Sequence, residues 1–210
     1  MVSWTSTRFV LIAAAIAVPA RLLHAALPSE PDISGPTSLA GQLLVASPEL
    51  HDAPFDHAVI VLARHSREGA FGIVINRPTA QRPVADLLAA MGGNASGVSG
   101  SVRLFRGGPV SPGVGFVVHS NEYRLADTVD IDGHLALTSA LDILRDIGLG
   151  KGPKKSLVAF GYAGWAPEQL DDELKRGFWA TLPEDPALVF DDERDKVWAD
   201  ALARRKPALP

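Results

Sequence analysis

Apolar residues are not spread evenly along this chain. They fall into short runs with two different periods. Residues 42–46, 58–63 and 70–76 are compact and strongly apolar, AVIVLA and AFGIVIN among them, and suit strands covered on both faces. A polar turn at 65–69, closed by Gly69, separates the second run from the third, so 58–76 reads as a hairpin. Arg77-Pro78-Thr79 is expected to end it, because proline cannot continue a central strand. Val84, Leu87, Leu88 and Met91 recur at helical spacing. Residues 92–100 form a glycine- and serine-rich loop, followed by strands at 102–105 and 115–119. Asp132-Gly133 marks a tight turn between 128–131 and 134–137, giving a second hairpin. Thr138 or Ser139 is placed to cap a helix running to about Ile147. A late strand is predicted at 187–190 and a last helix at 193–204.

Residues 156–179 carry the most distinctive pattern. Leu157-Val158-Ala159-Phe160 is a buried-strand run, and Gly161-Tyr162-Ala163-Gly164 is read as a glycine turn. Pro167 suits the first position of a helix, Glu168, Asp171 and Asp172 complement its dipole, and Gly177 is a C-terminal stop. A helix start after a glycine turn can hold an anion, but acidic residues already occupy the first turn, which favours a capped packing unit. Roughly eight or nine strands and about four helices, not in strict alternation, argue for α+β with mixed sheet pairing.

Composition narrows the function classes. The 210 residues accommodate one domain with an extension, and 47% apolar content allows a substantial core. A net charge of −4 argues against direct nucleic-acid binding, which wants a basic face. The absence of cysteine removes disulfides, thiol catalysis and cysteine-based metal sites together. Residues 1–26 resemble an export signal, with Arg8 ahead of the apolar run 9–20 and small residues at Ala20, Ala25 and Ala26. The expected location is therefore outside the cytoplasm, periplasmic, with a mis-assigned start and a cytoplasmic protein as the alternative. Residues 27–38, with Pro28, Pro31, Gly35 and Pro36, form a flexible linker, and the folded domain covers 39–206, without a transmembrane helix.

Familiar catalytic spacings are missing. The loop 148–156 runs helix to strand, the wrong polarity for a phosphate loop. Gly113-Val114-Gly115 lacks the third glycine of a dinucleotide fingerprint, and Ser99 does not sit in G-x-S-x-G. None of the six histidines makes a zinc spacing, so no metal and no cofactor are expected. His51-Asp52 and Asp56-His57 share a loop that they either brace or lend to a metal. His119 closes an apolar strand, as a buried satisfied histidine or as a functional one. Asn76-Arg77, an amide and a guanidinium beside a proline turn, can bind a carboxylate or neighbouring backbone.

Four blocks in order resemble the YqgE/AlgH family of uncharacterised bacterial proteins. They are Gly41, Leu43, Leu44, Ala46, Pro48 and Phe55; Gly69–Gly72 with Ile75–Pro78; Gly107–Val110 with Phe116 and His119; and Gly161–Trp165 with Gln169, Leu170 and Trp179. The chain departs from the family at Ala166 and Glu168, where glycines are usual, and at Asp171, where Glu is usual. The resemblance implies a compact single domain with a bent, barrel-like sheet flanked by helices. One branch is named for a link to regulation of alginate synthesis, and the family has no agreed activity, cofactor or catalytic set. The reading is thus a non-enzymatic binding or regulatory protein with an unidentified protein or small-molecule partner. Its candidate surface is Asn76, Arg77, Gly107, Gly108, His119, Tyr162, Gly164, Trp165 and Gln169. The alternative is an enzyme acting on a small anionic metabolite, with Arg77 holding the anion and His119 or an acid of 168–173 moving protons.

Overall fold

Apolar runs without alternation need cover on both faces, and the fold supplies it. The computed structural model describes residues 38–139 and 141–205, so the leader and nearly all of the linker predicted above lie outside the described residues. Ten strands form one curled half-barrel sheet: β1 Gln42–Ala46, β2 Val59–Ser66, β3 Gly69–Val74, β4 Pro78–Pro83, β5 Ser101–Arg106, β6 Val110–Ser120, β7 Val129–Asp130, β8 Leu135–Thr138, β9 Ser156–Trp165 and β10 Trp179–Pro183. Five helices flank it: α1 Val84–Ala90, α2 Leu141–Gly148, α3 Gln169–Lys175, α4 Pro186–Val189 and α5 Val197–Arg204. The order is β10-β1-β2-β3-β9-β6-β8-β7, with β5 on β9 and β4 on β5. Only the β5–β9 pairing is parallel, so the sheet is mixed as expected.

Side chains divide by parity. Leu43 and Val45 of β1, with Val59 and Val61 of β2, enter one core together with Leu188, Val197 and Ala201 from the α4–α5 region. Their neighbours Leu44, Ala46, Ile60 and Leu62 enter a second core with Phe55, Trp165, Leu170 and Trp179. A third core lies under α1 and α2, built on Val84, Leu88, Ile143 and Leu144 against Val117 and Val158. That arrangement follows from the period-two geometry of a strand.

Four expectations are corrected. Gly161–Gly164 is not a turn: β9 runs through it to Trp165, bending at Gly161 (φ +76°) where its partner changes from β5 to β3. Pro167 does not take the first helical position: α3 begins at Gln169 with Glu168 as its N-cap, whereas the β2–β3 hairpin does end ahead of Arg77-Pro78-Thr79, and Pro78 opens the edge strand β4. Residues 187–190 are not a strand; Asp185 caps the short helix α4 by accepting from the Ala187 N–H, with Pro186 at its first position. The last helix is shorter than expected, starting at Val197.

Candidate functional site

β9 ends and α3 begins at the most aromatic corner of the molecule. Glu173, the fifth residue of α3, is 5% exposed and turns its carboxylate into the sheet. The indole N–H groups of Trp165, at the end of β9, and Trp179, at the start of β10, both donate to its Oε2 at 2.8 Å. Gln169 Nε2 donates to Oε1 at 2.9 Å, and the Gln169 carbonyl oxygen accepts from the Ala166 N–H. No lysine, arginine or histidine forms an ion pair with Glu173 among the described residues. α3 is held in register for this by its termination: Gly177 N–H donates to Leu174 O and Phe178 N–H to Glu173 O, a Schellman pair with Gly177 at φ +74°.

Phe55 completes the corner. Its ring stacks on Trp165 at 6.4 Å and meets Trp179 edge-on at 5.6 Å, and the two indoles are themselves edge-to-face at 6.0 Å. Asp52, Pro54, Pro109 and Gly164 close a cleft of about 50 Å³ over Gln169 and Glu173. Burial pushes the Asp52 carboxyl up from its ordinary range, and the negative charge of Glu173 adds to that. The cleft therefore sets two carboxyl groups beside the rings of Phe55 and Trp165, a lining that suits an organic cation.

The nine residues singled out in sequence separate in space. Gly164, Trp165 and Gln169 line the cleft. Tyr162 packs on Phe71 and Phe116. Asn76 is satisfied by backbone, accepting from Val59 N–H at 2.9 Å and donating to His57 O at 2.8 Å. Arg77 donates from Nη2 to the Asp56 carbonyl. Gly107 and Gly108 are where chains cross: a Cβ on Gly107 would lie 2.3 Å from Gly161 O, and one on Gly108 2.1 Å from Tyr162 C and O. His119 is fully buried and bonded to Thr138 Oγ1 and Ser120 O. Arg77 and His119 do not converge. Arg77 O accepts from Arg106 N–H, Arg106 pairs with Phe160, and His119 pairs with Ser156 four residues earlier on β9, about 13 Å away along the strand.

The nine-residue candidate surface left out Asp52, Phe55, Glu173 and Trp179, although Asp52 and the acids of 168–173 entered other readings of the sequence. The available signal was Glu173 itself, a charged residue on the apolar side of a short helix between Leu170 and Leu174. A larger open cleft of about 370 Å³ lies by Pro78 and residues 192–196. Its cations are occupied: Arg103 faces Asp192, Lys196 pairs with Glu193, and buried Arg194 donates to Val189 O and sits over the Phe105 ring.

Comparison with known proteins agrees with the fold. A family model described as AlgH-like matches residues 43–209. A UPF0301 protein of Methylococcus capsulatus is 43% identical over 168 residues, covering 80% of this chain and 92% of that protein. One from Rhodospirillum rubrum is 42% identical over 166 residues, covering 79% and 86%. The solution structure of the AlgH protein from Pseudomonas aeruginosa superposes with a TM-score of 0.68 at 36% identity, covering 81% of this chain and 90% of that one. The crystal structure of DIP2367 from Corynebacterium diphtheriae, at 24% identity and TM-score 0.62, shares the fold.

Proposed function

The chain belongs to the AlgH-like family, and from that premise we propose that it is a binding protein of regulatory type that recognises an ammonium or guanidinium group at the Asp52–Glu173 cleft. The observation that carries this reading is Glu173: a carboxylate 5% exposed, held by three N–H donors, framed by Phe55, Trp165 and Trp179, and left without a cationic partner among the described residues. A buried charge with no counter-charge costs several kcal/mol, which an incoming cation offsets. At about 50 Å³ the cleft is far smaller than the roughly 300–1,000 Å³ usual for a small-molecule pocket, so it suits a headgroup rather than a whole metabolite. The rest of the ligand would stay outside, so the headgroup belongs to a small amine or to a lysine or arginine side chain of a partner.

Binding is favoured over catalysis because the three N–H donors on Glu173 leave acceptor capacity for one more N–H, while no hydroxyl, amine or imidazole side chain lines the cleft among the described residues. The alternative, an enzyme for an anionic metabolite, needs Arg77 and His119 at one pocket, and neither lines this cleft. Ethylammonium and ethylguanidinium chlorides, titrated against sodium chloride of equal ionic strength, test the reading through tryptophan fluorescence. Saturable quenching is expected with the organic cations, weakened about fivefold (~1 kcal/mol) in Asp52→Asn. A response matching sodium chloride, or unchanged in Asp52→Asn, would refute it.

A further inference from the structure

The two ends of the curled sheet meet at an unusual cluster. β10 is one terminal strand of the sheet order and β7 the other, with β8 beside it. Glu184 follows directly on β10, while Asp132 and His134 flank Gly133 in the turn between β7 and β8. One ligand atom from each of Asp132, His134 and Glu184 lies within 4.8 Å of the other two. Nothing in the linear sequence predicts this, because Glu184 is remote from the Asp-Gly-His turn and joins it only when the sheet curls.

The hydrogen bonding leaves ligand capacity unused on both carboxylates. Asp132 Oδ1 is committed to the N–H groups of His134 and Leu135 at 2.9 and 2.8 Å. Asp132 Oδ2 is buried and has no partner. Glu184 has a side chain only 12% exposed, with Oε1 2.9 Å from His134 Nδ1. Its Oε2 is likewise buried and unpartnered. Two orphaned carboxylate oxygens beside one imidazole are costly as they stand, since buried acceptors lose water without gaining a donor. Asp132 packs directly on Gly41, where a built Cβ would lie 2.6 Å from the Asp132 Cβ, so only glycine leaves room for it.

We propose that Asp132, His134 and Glu184 bind a divalent transition-metal ion, zinc being the best fit, that fastens the seam of the half-barrel. One imidazole and two carboxylates form an N/O donor set suited to zinc, with Zn–N and Zn–O bonds near 2.0–2.2 Å. In a tetrahedral site two ligand atoms stand about 3.4 Å apart, so the widest pair of the cluster, within 4.8 Å, has at most about 1.4 Å to close. His134, 72% exposed, is free to swing and leaves an entry path. In the metal-free arrangement its Nδ1 bonds the same carboxylate it would share the ion with. Three protein ligands leave a fourth position for water.

The test uses the full chain, free of any affinity tag, stripped with a chelator and then titrated with zinc chloride by calorimetry and followed by thermal melting. One ion per chain is expected, with a melting temperature that climbs as zinc is raised and falls back on chelation. His134→Ala and Glu184→Gln should each weaken binding by at least about tenfold, in line with loss of a metal ligand or its support. His134 is surface-exposed, so its variant keeps the fold even if the buried one does not. Failure to bind zinc, or binding of undiminished affinity in His134→Ala, overturns the proposal.

Discussion

His119 shows how one buried side chain is settled by its hydrogen-bond chain. Leu125 N–H donates to Thr128 Oγ1, Thr128 and Thr138 share a 2.8 Å bond, Thr138 Oγ1 lies 2.9 Å from His119 Nε2, and His119 Nδ1 lies 3.0 Å from Ser120 O. A carbonyl can only accept, so Nδ1 carries the hydrogen and donates to Ser120. Nε2 then accepts from Thr138, Thr138 from Thr128, and every member is satisfied with the ring neutral. Protonation would reverse the Thr138 bond and strand a hydroxyl hydrogen. Burial acts in the same direction, pushing the imidazole down from 6.5. The folded state therefore binds fewer protons than the unfolded chain once pH drops below about 6.5, and stability falls as pH falls through that window until the folded ring itself protonates. Denaturant midpoints from about pH 8 to pH 5 should decline more steeply for the native protein than for His119→Gln. Parallel slopes for the two would mean that His119 takes up its proton alike in the folded and unfolded chain, and would overturn this account.

At the scale of elements, α3 carries a local conflict. Its N-cap is Glu168 at φ +62°, a left-handed conformation that L side chains avoid, with no side-chain cap bond. The left-handed region costs a non-glycine residue about 1–2 kcal/mol, while glycine raises the unfolded chain's entropy by about 0.4–1 kcal/mol. Glu168→Gly should stabilise the protein by about 0.5–1 kcal/mol, read as a higher denaturant midpoint at unchanged slope. A lower midpoint would show that the Glu168 side chain contributes more than its backbone strain costs. The elements also show what was legible in sequence. β1, β2, β3, α1 and the β7–β8 hairpin follow their apolar periods and turn residues closely, because local chemistry and tertiary cover agree there. β9 does not, because Gly161 and Gly164 look like turn residues. Gly161 serves instead as a bend in a strand whose backbone passes Gly107 and Gly108 too closely for any Cβ. α4 was mistaken for a strand because four apolar residues carry no period of their own. The cleft was half legible: Gly164, Trp165, Gln169 and Glu173 sit in one stretch, while Asp52, Phe55 and Pro109 arrive from loops that meet it only in three dimensions.

At the scale of the whole molecule, the described domain closes on itself, and the question becomes where it works. No helix among the described residues is long and apolar enough to cross a membrane. The apolar run 9–20 holds 12 residues, about 18 Å as a helix against about 30 Å of hydrocarbon, so it suits the core of a signal peptide better than a span. We propose export, with removal of the leader near Leu27 and a short proline-rich linker ahead of the domain. An exported protein meets its partner outside the reach of genes, so any regulatory role would act through binding in the envelope rather than on DNA. The acidic cleft and the net charge of −4 agree with that, since neither suits a phosphate backbone. Intact mass of the native protein after cell fractionation decides the point. A chain starting near Leu27 in the periplasmic fraction is expected. A chain retaining residues 1–26 in the cytosol would remove the envelope role and leave the cation cleft to be matched with cytoplasmic partners.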